Sequence, residues 1–176
     1  MGWGVRAVAP PRLVLFSGPP GVGKSALSYR LSREMGWAVL SKDGVDQGLK
    51  VCPACPPVAG YEVMFSLAEL NLGNGASIIL DAVFGLPDFR RRAAGLAGHY
   101  GVRFHAIVCF CSDRELWRRR GERRPEAVRG WTPADWAEAE RVAGYYQSWA
   151  LSHLALDAAR PFEHNVALLL AAVGGE

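Results

Sequence analysis

The sequence has 176 residues, half of them apolar and 21% charged, with a net charge of +3 at pH 7. That is the length and composition of one globular domain with a real core, not of a disordered, fibrous or disulfide-scaffolded chain. The small positive balance gives no argument for a nucleic-acid partner. The longest apolar candidate, Val166 to Val173, falls far short of the roughly eighteen residues of a membrane span, and no basic-then-apolar secretory signal opens the chain. A single cytoplasmic domain over residues 1–176 is the expectation.

Residues 1–11, ending in Pro10-Pro11, read as a leader to the first strand, Leu13-Val14-Leu15-Phe16-Ser17. A glycine-rich turn follows: Gly18, Pro19, Pro20, Gly21, Val22 and Gly23, then Lys24, Ser25 and Ala26 opening a helix. Gly18-x-x-x-x-Gly23-Lys24-Ser25 matches the phosphate-binding P-loop pattern at every fixed position. Glycines let successive backbone N–H groups face a polyphosphate, and the helix N-terminus adds the positive end of its dipole. Lys24 suits the β and γ oxygens as a mobile point charge, and the Ser25 hydroxyl suits Mg²⁺. The motif predicts binding of a nucleoside triphosphate, ATP or GTP, with magnesium.

Beyond the loop, Leu27, Leu31 and Met35 recur on one helical face, and Gly36 stands where a helix ends. Trp37–Ser41 reads as a second strand running into Lys42-Asp43. Gly44 to Gly60 reads as irregular, with Cys52-Pro53-Ala54-Cys55-Pro56-Pro57 as a stiff loop shaping an acceptor pocket. The C-x-x-C is half of a zinc or redox pattern with no second half. A helix is expected over Tyr61–Leu72, with Val63, Met64, Leu67 and Leu70 inward.

Ser77–Asp81 is a third strand, apolar enough to be buried on both faces. A helix from Pro87 to Tyr100 and a strand Phe104–Phe110 come next. Ser112-x-x-Glu115 has the form of a capping box opening the arginine-rich helix, and Thr132-Pro133-Ala134-Asp135 marks another helix start. Leu154–Asp157 is the fifth strand and Pro161–Val173 the last helix. The alternation predicts a three-layer α/β P-loop NTPase fold with a five-stranded parallel sheet and a helical, arginine-bearing lid at about 113–131. Asp43, Asp81 and Asp157 then fall at strand C-termini, the edge where such sheets bind ligands.

Asp43 fits a general base for an attacking hydroxyl, a holder of a metal-bound water, or a plain turn carboxylate. Asp81 fits a partner of Mg²⁺ through water or of the Ser25 hydroxyl, or a plain strand-end acid. Arg118-Arg119-Arg120-Gly121-Glu122-Arg123-Arg124 places arginines on shared helix faces, where Arg119 with Arg123, or Arg120 with Arg124, can fork onto a transferring phosphoryl group. The same run also reads as a solvated basic face or, with little aromatic interleaving, as a nucleic-acid patch. Trp131, Trp136, Tyr145, Tyr146 and Trp149 read mostly as a helix core stripe, with one of them free to line the acceptor site.

Taken together, the P-loop, Ser41-Lys42-Asp43, Ile78-Ile79-Leu80-Asp81 and the arginine helix resemble the small P-loop kinases grouped with chloramphenicol phosphotransferase, gluconate kinase and the kinase domain of polynucleotide kinase, the zeta-toxin and AAA-type small kinases. The resemblance runs from about Pro11 to the last helix. It implies Asp43 as base, Arg119 and Arg123 as stabilisers of the transferred phosphate, Asp81 with Ser25 at the metal, and Ala158, Ala159 and Arg160 beside adenine. Polynucleotide-kinase-like members often carry Asp-x-x-Arg after the second strand, whereas this chain has Asp43-Gly44-Val45-Asp46. That departure turns the expectation toward a neutral or cationic small-molecule alcohol (sugar, antibiotic or other metabolite) and away from a nucleic-acid 5′-hydroxyl. A nucleotide-binding regulatory module with slow hydrolysis is the remaining alternative, although no base-reading Asn-Lys-x-Asp motif is present.

Overall fold

The computed structural model describes residues 10–52, 54–122, 132 and 134–175. Within them the elements run β1 (Arg12–Ser17), α1 (Lys24–Met35), β2 (Ala38–Ser41), α2 (Lys42–Leu49), α3 (Ala59–Gly73), β3 (Ile78–Asp81), α4 (Pro87–His99), β4 (Arg103–Phe110), α5 (Arg114–Glu122), α6 (Trp136–Tyr145), β5 (Leu154–Asp157) and α7 (Phe162–Gly174). Of the expected leader, residues 1–9 lie outside the described residues. The five strands form one sheet in the order β2-β3-β1-β4-β5, every pairing parallel. This is the P-loop NTPase fold that the alternation of elements predicts.

Period-two alternation along β1 builds the three layers. Leu13 and Leu15 face α3 and α4, packing with Ile78, Leu80, Met64, Ala68 and Ala93. Val14 and Phe16 face the other way onto α1 and α7, packing with Ile79, Leu27, Leu31, Val166 and Leu169. With both faces covered, β1 and β3 are buried at every position.

Several local expectations are corrected. The stretch Gly44 to Gly60 is not all irregular: its first part is α2, whose N-cap Ser41 accepts from the Gly44 N–H at 3.5 Å, and α3 begins at Ala59. Two glycines inside α2 disguise it, since glycine weakens a helix that tertiary packing nevertheless holds. The face of α3 is also different. Met64, Phe65, Ala68 and Leu72 are buried, whereas Val63, Leu67 and Leu70 are exposed, Leu70 at 65%. A helix apolar around most of its girth does not declare by its period which face the sheet covers. On α4, Arg90, Ala93 and Ala97 are buried, and Phe89, Leu96 and Tyr100 pack partly covered against the same core.

At the start of α5 the capping oxygen belongs to Asp113, which accepts from the Leu116 N–H at 2.9 Å, while the Ser112 hydroxyl donates to Asp157 at 2.6 Å. Similarly, α6 is capped by Asp135, accepting from the Glu138 N–H at 2.8 Å, and not by Thr132. In both places a carboxylate nearer the helix outcompetes the hydroxyl.

Candidate active site

The central strand β1 delivers the glycine loop to the C-terminal edge of the sheet. There Phe16 pairs with Asp81, and Asp81 in turn with Ser41. One row across three strands thus holds the roots of the loop, of Asp81 and of the turn bearing Asp43. Gly18 has no substitute in this arrangement: a Cβ on it would sit 2.1 Å from the Cys109 carbonyl oxygen. Gly21 and Gly23 both take φ near +84°, the left-handed region that favours glycine. Gly23 caps α1 without a side-chain acceptor, so the amide donors of that helix N-terminus are left for a ligand.

Lys24 is buried and donates through Nζ to the Pro19 carbonyl at 2.9 Å, curled against its own loop. Val22 is buried beneath the loop, and Ala26 is exposed on the first turn of α1. One contributor missing from the sequence reading is Trp117. Its Nε1–H donates to the Pro20 carbonyl at 2.8 Å, and its ring packs edge-on against Trp136 at 4.8 Å, so α5 and α6 rest directly on the loop.

Asp81 is fully enclosed. Burial pushes its carboxyl pKa up, while the Lys24 ammonium and hydrogen bonds from Ser25 and Ser28 pull it down, leaving it above the ordinary range. The Ser28 hydroxyl donates to it at 3.2 Å. A buried carboxylate wired to the P-loop serine is the donor set a hard divalent cation prefers. The glycine cradle, Lys24, Ser25 and Asp81 therefore fit a magnesium–nucleotide complex. Cys109, also buried here, has its thiol pushed up to about 12 by burial, which leaves it inert.

Asp43 lies in the first turn of α2, half-buried, facing a cavity of about 700 Å³. The same cavity is lined by Pro20, Lys24, Ser25 and Asp81 on one side and by residues of α3, α4 and α6 on the other. Asp46, the acid that stands where an arginine was expected, is the ion-pair partner of Lys42 at 2.5 Å. It packs against Gly60, where a Cβ would fall 1.9 Å from Asp46 Oδ1 and make that carboxylate shift. Lys42 also lies 4.9 Å above the Tyr61 ring.

The opposite wall hangs on a residue the sequence did not advertise. Arg90 is 2% exposed and has no carboxylate among its described partners. It donates to the carbonyls of Phe84 (2.6 Å), Gly85 (3.0 Å), Gln147 (2.8 Å) and Ser148 (3.0 Å), between the rings of Tyr146 and Trp149. Burial lowers its pKa, without removing a guanidinium charge. Phe84, at φ +46°, is held in that conformation from both sides, its N–H donating to Tyr61 Oη at 3.2 Å. The Tyr146 hydroxyl lies 2.6 Å from Ser17 Oγ, which joins this knot to the base of the P-loop.

Other predicted residues fall elsewhere. Asp157 takes no part in the cavity lining. It accepts from the Ser112 N–H and hydroxyl and from the Ala159 N–H, tying the β4 and β5 ends together. Burial works to raise its pKa, and those hydrogen bonds outweigh burial, so it lies low. Arg119 is exposed on α5 and Arg160 exposed after β5, neither of them lining the cavity. Arg120 bonds the Ala158 carbonyl at 2.5 Å, joining α5 to the loop after β5. Arg123 lies outside the described residues, as does Trp131.

A phosphate cradle on the central strand of a parallel sheet, with two carboxylates at the ends of the strands beside it, defines a P-loop NTPase. The chain belongs to the AAA domain family, whose model matches residues 13–142. An uncharacterized protein of Mycobacterium tuberculosis is 30% identical over 175 residues, covering 88% of this chain and 33% of that protein. The chain thus spans about a third of the length of that relative. In fold it is similar to the Mycobacterium tuberculosis APS kinase CysC solved with AMPPNP and APS (TM-score 0.67, 19% identity, 96% of this chain and 100% of that one). It is also similar to a gluconokinase from Sinorhizobium meliloti (TM-score 0.68, 12% identity, 95% and 94%). No helix among the described residues is long and apolar enough to cross a membrane.

Proposed function

We propose that this chain transfers the γ-phosphoryl group of ATP to a hydroxyl of a small molecule. The observation that carries the reading is one cavity shared by Lys24, Ser25, Asp81 and Asp43. A nucleotide-only switch has no use for a second carboxylate facing its P-loop across a pocket of substrate size. The likeness in fold to APS kinase and gluconokinase supports phosphotransfer and leaves the acceptor to be named.

In this reading the loop amides and Lys24 hold the polyphosphate tail. Ser25 and Asp81 would hold magnesium, which would supply positive charge beside the phosphates. Asp43 accepts the hydrogen of the incoming alcohol and fixes its direction of approach, which is positioning and general-base work. Arginines of α5 and the following residues, Arg119 and Arg123 first among them, close on the transferring group.

The test is ATP consumption with a panel of hydroxylated metabolites and antibiotics plus a 5′-hydroxyl oligonucleotide, each product identified by mass spectrometry. Asp43→Asn should lower kcat with the active acceptor by about 10²–10⁴-fold and leave nucleotide affinity unchanged. Near-normal turnover in that variant removes Asp43 as the base. Labelling of the oligonucleotide alone moves the acceptor class to nucleic acid.

A further inference from the structure

The wall of the cavity facing Asp43 has a chemistry that narrows the acceptor. Val58, Tyr61, Leu86, Phe89, Val142 and Tyr145 form it. Three of these stand open at its mouth: Val58 is 42% exposed, Leu86 44% and Tyr145 44%. Large apolar side chains gathered at one opening mark a surface meant to be covered.

Position 86 adds an independent observation. Leu86 is the N-cap of α4, with the extended backbone (φ −99°, ψ 138°) in which Ser, Thr, Asp or Asn would accept from the helix amides, and no side chain caps that helix. An apolar residue at such a place costs stability, which is the pattern of a position kept for a site.

Meanwhile several of the polar groups on this side are already engaged within the protein. Lys42 pairs with Asp46, and Glu138 accepts both nitrogens of Arg141 at 2.7 Å. Ser41 caps α2, and the Tyr61 oxygen accepts from Phe84 N–H. A polyol needs a partner for each hydroxyl it desolvates, and these groups would have to give up their own. An anionic acceptor would meet a neutralised lysine beside Asp43 and Glu138. Among the described lining residues there is no arginine.

We propose, resting on the phosphotransfer reading above, that the acceptor is an uncharged alcohol carried on an apolar body, its hydroxyl at Asp43 and its body on the Leu86–Tyr145 wall. Polyols and sugar acids are then poor substrates.

The probes are 3-phenyl-1-propanol and cyclohexylmethanol against D-glucose and D-gluconate, with saturating Mg·ATP and the full chain. The apolar alcohols should exceed the sugars in kcat/KM by tenfold or more. Leu86→Asn keeps the branched outline of the side chain, supplies the missing cap and removes the apolar contact. It should raise Tm by about 2–4 °C, lower kcat/KM for the apolar alcohols about tenfold through KM, and leave nucleotide affinity unchanged. A destabilised variant with a proportional loss on every substrate would mark Leu86 as merely structural and overturn the assignment. Turnover of glucose or gluconate in preference to the apolar alcohols overturns the acceptor class and leaves phosphotransfer standing. Saturable, Leu86-dependent binding of 3-phenyl-1-propanol without turnover of any acceptor supports the site's chemistry and overturns phosphotransfer. Neither binding nor turnover of the apolar alcohols overturns the class.

Discussion

The two halves of the cleft are built in different ways. The nucleotide half is one continuous segment, Gly18 to Ala26, whose backbone does most of the work. It needs glycines at three positive-φ positions, Gly18, Gly21 and Gly23, the first of them also a point of close approach to Cys109. The acceptor half is assembled from the starts of α2, α3 and α4 and from α6, pieces far apart in the chain, and is held by Arg90 on four carbonyls. The first half can bind only what its amides face. The second is set by which side chains the fold brings together, so it is the half free to differ between proteins that share this sheet.

The comparison can be broken most severely at Lys24. Lys24→Ala should lower turnover by about 10³-fold or more, since it removes the charge proposed to hold the polyphosphate. The acceptor half should still bind its alcohol, as measured by calorimetry without nucleotide. Loss of acceptor binding as well would show that the halves are not separable.

Arg90→Met is the converse. It leaves four carbonyls without their donor, those of Phe84 and Gly85 in buried bonds, and should cost about 3 kcal/mol of stability in urea unfolding. The surviving folded enzyme should show a raised acceptor KM with nucleotide affinity near normal. Equal losses on both substrates would mean that the knot supports the whole edge of the sheet and not one wall.

The smallest effect sharpens the comparison through pH. Asp81 has a folded pKa raised above its unfolded value, so its contribution to stability is present at low pH and is lost as pH rises through the folded value. Without metal, Asp81→Asn should therefore match the parent protein in acid and be more stable at neutral pH, by thermal denaturation across pH. Activity should fall all the same, because in the proposed reaction that carboxylate helps to hold the metal. A variant less stable at neutral pH would show that Asp81 serves the apo fold through its charge.

Much of the nucleotide half was legible in the residues, because a P-loop is local: the same few positions supply the turn, the amides and the lysine. The five strands were legible in outline, since apolar runs bounded by glycine and acids mark buried parallel strands, while their order across the sheet was not. The acceptor half was not. Arg90 reads as one of three consecutive arginines on a surface helix, and nothing in the run Arg90-Arg91-Arg92 says that only the first is buried. Trp117 reads as a lone aromatic among arginines, yet it is the residue that seats α5 on the loop.

By itself, then, the sequence determined the sheet, the phosphate cradle and the placement of Asp43 and Asp81 at strand ends, because short-range steric and hydrogen-bonding rules decide those. Only the tertiary structure decided that Asp157 ties two loops together, that α3 turns its Phe65 face inward, and that Leu86 and Tyr145 wall one pocket with Asp43. Those outcomes depend on contacts between residues distant in the chain, where hydrophobic burial is non-directional and several faces compete for the same cover.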